Sequence, residues 1–138
     1  MTGEYQHAVD SKGRIFIPAK LREDLGDIFY ITISIDKCLN VYDLDNWKIF
    51  TDKVYALSYV DQRKMRPFFA YAAKCELDNQ GRILIPQNLR DYAGVDKNVI
   101  IIGCGNHAEV WDADIWNSTV ESMVAPDNLK AALEELNF

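Results

Sequence analysis

Histidine is nearly missing from this chain, and cysteine, proline and long apolar runs are scarce. Among 138 residues there are two His, three Cys and four Pro. Cys38, Cys75 and Cys104 are odd in number and show no Cys-x-x-Cys spacing, which argues against a disulfide framework or a zinc ribbon. They read as reduced thiols in apolar surroundings. His7 and His107 are not expected to group with them, so neither a metal nor another cofactor is expected. No Gly-x-Ser-x-Gly elbow, phosphate-cradling glycine loop or His-Glu-x-x-His run occurs. No catalytic residue is therefore assigned, and the chain does not read as an enzyme. No stretch approaches the roughly 18 apolar residues of a membrane span. Met1–Tyr5 lacks the basic and apolar regions of a secretory signal. A cytoplasmic protein with no membrane partner is expected.

Positive charge is also in deficit. Fifteen Lys and Arg against 21 Asp and Glu leave a net charge of −6, which at first argues against a nucleic-acid partner. The deficit is uneven, however. Residues 1–90 carry 13 basic and 12 acidic side chains, whereas residues 91–138 carry 2 and 9. Acidity belongs to the C-terminal end, so net charge alone does not decide the partner.

What the chain does have is a long internal repeat, the feature that decides architecture when present. Asp10-Ser11-Lys12-Gly13-Arg14 followed by Ile15-Phe16-Ile17-Pro18 returns as Asp78-Asn79-Gln80-Gly81-Arg82 followed by Ile83-Leu84-Ile85-Pro86. Each copy then reaches a Leu-Arg pair, Leu21-Arg22 and Leu89-Arg90. Val41-Tyr42-Asp43 is echoed by Val110-Trp111-Asp112, and Trp47 by Trp116. The chain is two copies of one unit. In each motif the Asp caps a tight hairpin turn through its own side chain, and the Gly supplies positive φ. The Arg opens the next strand. On one reading Asp and Arg pair across the turn and only fix the hairpin; exposed pairs of this kind contribute little. On the other, the turn presents a basic residue on a stiff scaffold, and Lys12 beside Arg14 favours this.

The remaining pattern is legible in order. Strands are expected at Glu4–Val9, Arg14–Ile17, Ile28–Ile35 and Cys38–Tyr42, with a helix at Ala19–Leu25 that Gly26 ends. Asp43 or Asp45 caps a helix carrying Trp47, Phe50, Val54 and Leu57. A second helical stretch, Asp61–Ala73, is expected to kink or break at Pro67, and its Arg63, Lys64 and Arg66 read first as a solvated face. The second copy repeats the scheme: strands at Cys75–Leu77, Arg82–Ile85, Val99–Ile102 and Glu109–Trp111, and a helix from Pro86 to Tyr92. A helix from Ile115 to about Met123 follows, capped by Asp112 or Asp114. A last acidic helix, Asn128–Leu136, aligns Leu129, Leu133 and Leu136 in a stripe expected to dock on its own protein.

Two Asp-x-x-x-Arg turns, each followed by an apolar strand ending in Pro and then by Leu-Arg, resemble the MraZ family, whose unit is similar to the SpoVT–AbrB swapped-hairpin module. The resemblance implies an α+β fold with two tandem AbrB-like units, 4–46 and 72–115, a helical connector at 47–71 and a helical tail at 116–138. One such unit cannot close its own barrel, so the two are expected to pair about a pseudo-two-fold axis into one β-barrel-like body with flanking helices. The resemblance also implies a sequence-specific, nucleoid-associated DNA-binding regulator of the division and cell-wall gene cluster. Its partners would be double-stranded DNA at promoter direct repeats and itself, as a homo-oligomeric ring. Arg14, Lys12 and Arg82 are the expected DNA contacts, and Asp10, Gly13, Asp78 and Gly81 the turn residues. The second turn has Asn79-Gln80 where the first has Ser11-Lys12, so the copies need not contribute equally. The alternative is a ring-forming structural or interaction protein that does not touch DNA.

Overall fold

The computed structural model describes all 138 residues. Strand β1 (Glu4–Ala8) leads through the first motif turn into β2 (Arg14–Phe16) and helix α1 (Ala19–Leu25). β3 (Ile28–Ile33) and β4 (Leu39–Asp43) follow, then the connector helices α2 (Leu44–Tyr55), α3 (Tyr59–Lys64) and α4 (Arg66–Ala70). The second copy gives β5 (Ala73–Glu76), β6 (Arg82–Leu84), α5 (Gln87–Ala93), β7 (Asn98–Gly103), β8 (Ala108–Asp112) and α6 (Ala113–Met123), and the chain closes with α7 (Pro126–Glu134).

Local chemistry sets most of these boundaries. Pro18 and Pro86 stand immediately before α1 and α5, where a missing N–H costs nothing. Gly94 ends α5 in the left-handed region at φ 63°. The Asp43 and Asp112 carboxylates accept the backbone N–H of Asn46 and Ile115 at the starts of α2 and α6. Ser58 caps α3 in the same way. The expected break near Pro67 falls at Met65, which leaves Pro67 in the first turn of α4, where it is tolerated.

The strands pair across the halves of the chain. One six-stranded antiparallel sheet runs β1-β7-β8-β4-β3-β5, and a two-stranded ribbon pairs β2 with β6. The order is unchanged when the halves are exchanged, which is the signature of a two-fold. Register says the same. β4 meets β8 with Asn40 opposite its own repeat-mate Glu109, flanked by Leu39–Val110 and Val41–Ala108, in which Leu39 and Val41 each face the other's repeat-mate. The ribbon is centred in the same way on Ile15 opposite Ile83. Exchange extends to single bonds: Ile17 N–H donates to Gly81 O and Ile85 N–H to Gly13 O, both at 2.9 Å.

This bears out the exchange between units that the resemblance implies, and it corrects the residue-level reading of each motif as a local hairpin. The turns close locally, with Asp10 N–H on Arg14 O and Asp78 N–H on Arg82 O, but the strands flanking them do not pair with each other. β1 pairs with β7 and β5 with β3. The physical reason is burial: Ile15, Ile17, Ile83 and Ile85 are almost fully covered between the halves. Burying each such side chain contributes about 1.5–3 kcal/mol, more than a short hairpin ladder offers.

A second expectation fails at the C-terminus. Leu129, Leu133 and Leu136 do not dock; they are 50%, 51% and 67% exposed. α6, by contrast, is anchored by Trp116, which is buried with Trp111, Ile100 and Cys38 in a second, smaller core.

Candidate functional site

The β2–β6 ribbon carries both motif turns, and each is built by its aspartate. Asp10 Oδ1 accepts the backbone N–H of Lys12 at 2.9 Å and of Arg14 at 2.8 Å, and Oδ2 accepts Arg14 Nε at 2.7 Å. Asp78 repeats this with Gln80, Arg82 and Arg82 Nε, all at 2.9 Å. These donors, led by the Arg14 backbone N–H, outweigh the cost of partial desolvation and hold the Asp10 carboxyl down at about 2. The Arg82 backbone N–H leads the same downward shift at Asp78.

The ribbon register then brings the turns together. Phe16 faces Arg82 across it, and the Arg82 guanidinium lies over the Phe16 ring at 5.8 Å. Arg82 Nη1 also comes within 4.0 Å of Asp10 Oδ2. Asp10, Arg14, Asp78 and Arg82 therefore form one group spanning both halves. The two arginines are not equivalent: the Arg14 side chain is 30% exposed and that of Arg82 is 19%. Lys12 is exposed on its turn and forms no ion pair. An arginine anchored through Nε keeps its Nη groups as donors toward phosphate or a base edge.

Sequence reasoning treated Arg22 and Arg90 only as part of the repeat. The structure gives them a task at the same site. Gly13 and Gly81 adopt φ of 84° and 79°. A Cβ on Gly13 would lie 2.6 Å from Arg90 Cζ, and one on Gly81 would collide with Arg22 Nη1. Each guanidinium thus lies across the turn glycine of the opposite half. Arg90 Nε donates to Ile85 O at 2.9 Å, while the buried Arg22 Nε has no acceptor. Their equal position after the Pro of each copy was the available signal; which turn they cover follows only from strand exchange.

Arg63, Lys64 and Arg66 are exposed on the connector, with Lys64 paired to Asp61 at 3.2 Å. All three cysteines are free, and burial pushes the thiols of Cys38 and Cys75 up to about 12. Cys104 departs from expectation. It lies at the β7–β8 turn with His107 and Glu109, and one ligand-type atom from each falls within 4.8 Å of the others. A histidine does therefore group with a cysteine. The readable signal was Cys104-x-x-His107-x-Glu109 at a strand turn, where His107 and Glu109, two apart, share a face.

No helix is long and apolar enough to cross a membrane. Comparison with known proteins matches the MraZ protein family over residues 1–66 and again over 68–136, in line with the two halves seen in the fold. The chain is 44% identical to the transcriptional regulator MraZ of Alkaliphilus metalliredigens over 140 residues, covering 99% of this chain and 98% of that protein. The proteins of the same description from Acetivibrio thermocellus and Carboxydothermus hydrogenoformans are 51% and 47% identical over 119 residues, each alignment covering 84% of this chain and 83% of the relative.

Proposed function

The chain belongs to the MraZ family, and from that premise we propose that it is a sequence-specific DNA-binding transcriptional regulator. In this reading it acts as a closed homo-oligomeric ring on promoter direct repeats of the division and cell-wall gene cluster, in the cytoplasm and associated with the nucleoid. No enzymatic role is proposed. The observation that carries the reading is the joining of both motif turns on one short ribbon, with Arg14 and Arg82 anchored by their aspartates and Lys12 free beside them. Lys12 and Arg14 supply the main contact and Arg82 a weaker one, with Asp10, Gly13, Asp78 and Gly81 shaping the turns. The units 4–46 and 72–115, the connector 47–71 and the tail 116–138 are the proposed divisions. One protomer offers few cations, and a ring multiplies them through effective concentration. Exposed apolar side chains support assembly: Tyr55 and Tyr59 on the connector are 66% and 70% exposed.

The competing reading is a ring that binds protein, and the net charge of −6 favours it. Fluorescence-anisotropy titrations against operator and scrambled duplexes separate the two. DNA binding must weaken steeply with salt through counterion release. Arg14→Ala should weaken binding more than Arg82→Ala, by about 1–3 kcal/mol with relaxed sequence preference if Arg14 reads guanine. If Arg14 meets only phosphate, all sequences should suffer alike and the salt slope should fall by about one. Unchanged affinity in a folded, oligomeric Arg14→Ala protein removes Arg14 from the contact and leaves the protein-binding ring in front.

A further inference from the structure

We propose that Cys104, His107 and Glu109 form a binding site for one divalent transition-metal ion of the zinc class, at the turn between β7 and β8. Thiolate, imidazole and carboxylate together are the donor set such an ion takes, at about 2.0–2.3 Å from the metal. Hard ions such as Mg2+ and Ca2+ prefer oxygen donors alone. The three donor atoms, within 4.8 Å of one another, need only a small contraction to share one centre.

The turn is built rather than loose. Cys104 N–H donates to His107 O at 2.8 Å, and Gly105 N–H to Met1 O at 2.8 Å. The Met1 ammonium returns a bond to Gly105 O at 2.7 Å. The N-terminus therefore straps the turn in place.

The ligands are also oriented. Glu109 Oε1 accepts Trp111 Nε1 at 2.9 Å, which leaves Oε2 for His107 Nε2 at 3.1 Å. Asn106 Oδ1 lies 2.9 Å from His107 Nδ1; in the tautomer with its proton on Nδ1 that contact is a hydrogen bond, and Nε2 is then the ligating atom. In that tautomer Nε2 and Glu109 Oε2, 3.1 Å apart, can share a cation, where a proton on Nε2 would make them a plain hydrogen bond. Across the strand pair stands Asn40, the register partner of Glu109, whose buried side-chain oxygen has no donor. Burial and Glu109 push the Cys104 thiol up to about 11, so an arriving metal must displace its proton.

The competing explanation is a protonated His107 in a simple ion pair with Glu109. Co2+ titration of the full-length protein separates the two. The expected result is a near-ultraviolet thiolate-to-cobalt band that saturates at one ion per chain and collapses on adding Zn2+. Cys104→Ser should abolish the band. Trp111→Phe, which removes the donor that orients Glu109, should keep it and weaken affinity about 10–100-fold, and Glu109→Gln, which removes a ligand, should weaken affinity at least as much. Circular dichroism verifies that each variant folds. Independently of any variant, Zn2+ should slow alkylation of Cys104 in the wild-type chain, read by peptide mass mapping, and a chelator should restore it. Absence of both the band and the protection at ion concentrations of about 100 μM, or a band that survives in Cys104→Ser, overturns the site. None of these readouts involves DNA.

Discussion

Asp10 gathers three donors from two neighbouring residues, and that concentration governs how the fold meets acid. Its carboxyl is held at about 2 against an ordinary 3.8, so the folded state favours the charged form. The resulting stabilisation is fully present above the unfolded value and is lost as pH falls through about 2. Asp10→Asn keeps the side-chain acceptor and removes the charge. Its urea midpoint should lie below that of the wild type at neutral pH, and the two curves should converge toward pH 2; parallel curves across that range would count against the argument. Gly13 makes a second residue-scale case. Gly13→Ala forces a side chain into φ 84° and sets its Cβ 2.6 Å from Arg90 Cζ. A loss of about 1–3 kcal/mol is expected. In an Arg90→Ala background the steric share should vanish and the backbone share remain, so the penalty shrinks without disappearing. The Asp, Gly and Arg of each turn were legible because the turn is closed by residues at most four apart. The partnership of Gly13 with Arg90 was not, because those residues meet only through strand exchange.

At the scale of elements, α6 and α7 show what periodicity can and cannot tell. Both have an apolar stripe, yet only α6 is anchored. Trp116 is 8% exposed, sits 5.3 Å from Trp111 by ring centres, and donates Nε1–H to Glu4 Oε1 at 2.9 Å. Trp116→Ala should cost about 3–5 kcal/mol in chemical denaturation, the range for emptying a buried aromatic site. Leu133→Glu, on the exposed stripe of α7, should leave the unfolding midpoint within about 0.5 kcal/mol of the wild type. If that change instead lowers the mass seen by light scattering, α7 belongs to a protomer interface. The repeat of Trp47 at Trp116 was visible in the sequence, and both indoles do pack on their sheet: Trp47 stacks on Tyr30 at 4.7 Å. Strand boundaries were legible from alternation to within about two residues. Strand partners were not, because alternation gives the face a side chain takes and not the strand beside it. Cys104 with His107 escaped notice for a related reason: metal-ligand spacing is sought among several cysteines or histidines, and here one of each is joined by a glutamate.

For the whole molecule, exchange between the halves has a consequence that cutting the chain exposes. β1 needs β7, β2 needs β6, β5 needs β3, and β4 joins β8 at the axis. A chain divided after Tyr71, where α4 has ended and β5 has not begun, loses no strand. The fragments 1–71 and 72–138 alone should each lack a partner for most of their ladders and give little near-ultraviolet circular dichroism. Mixed, they should recover the signal as a one-to-one complex, more weakly than the intact chain because the link no longer supplies millimolar effective concentration. The repeat also permits each fragment to pair with a copy of itself. Charge argues against this for the second half. Residues 1–71 carry 10 basic and 10 acidic side chains and are neutral, whereas residues 72–138 carry 5 and 11 and stand at −6. A self-pair of the second fragment sets two bodies of −6 together, while the mixed pair joins −6 to a neutral partner. Like-charge repulsion of this kind is screened beyond about 8 Å at physiological salt. The preference for the mixed pair should therefore be strongest in dilute buffer and fade as salt rises. Native mass spectrometry of the mixture at two ionic strengths reads it directly. Self-pairs of 72–138 that dominate at low salt would show that side-chain fit between identical halves outweighs charge, and two fragments that stay unfolded on mixing would show that the halves cannot find each other without the connector.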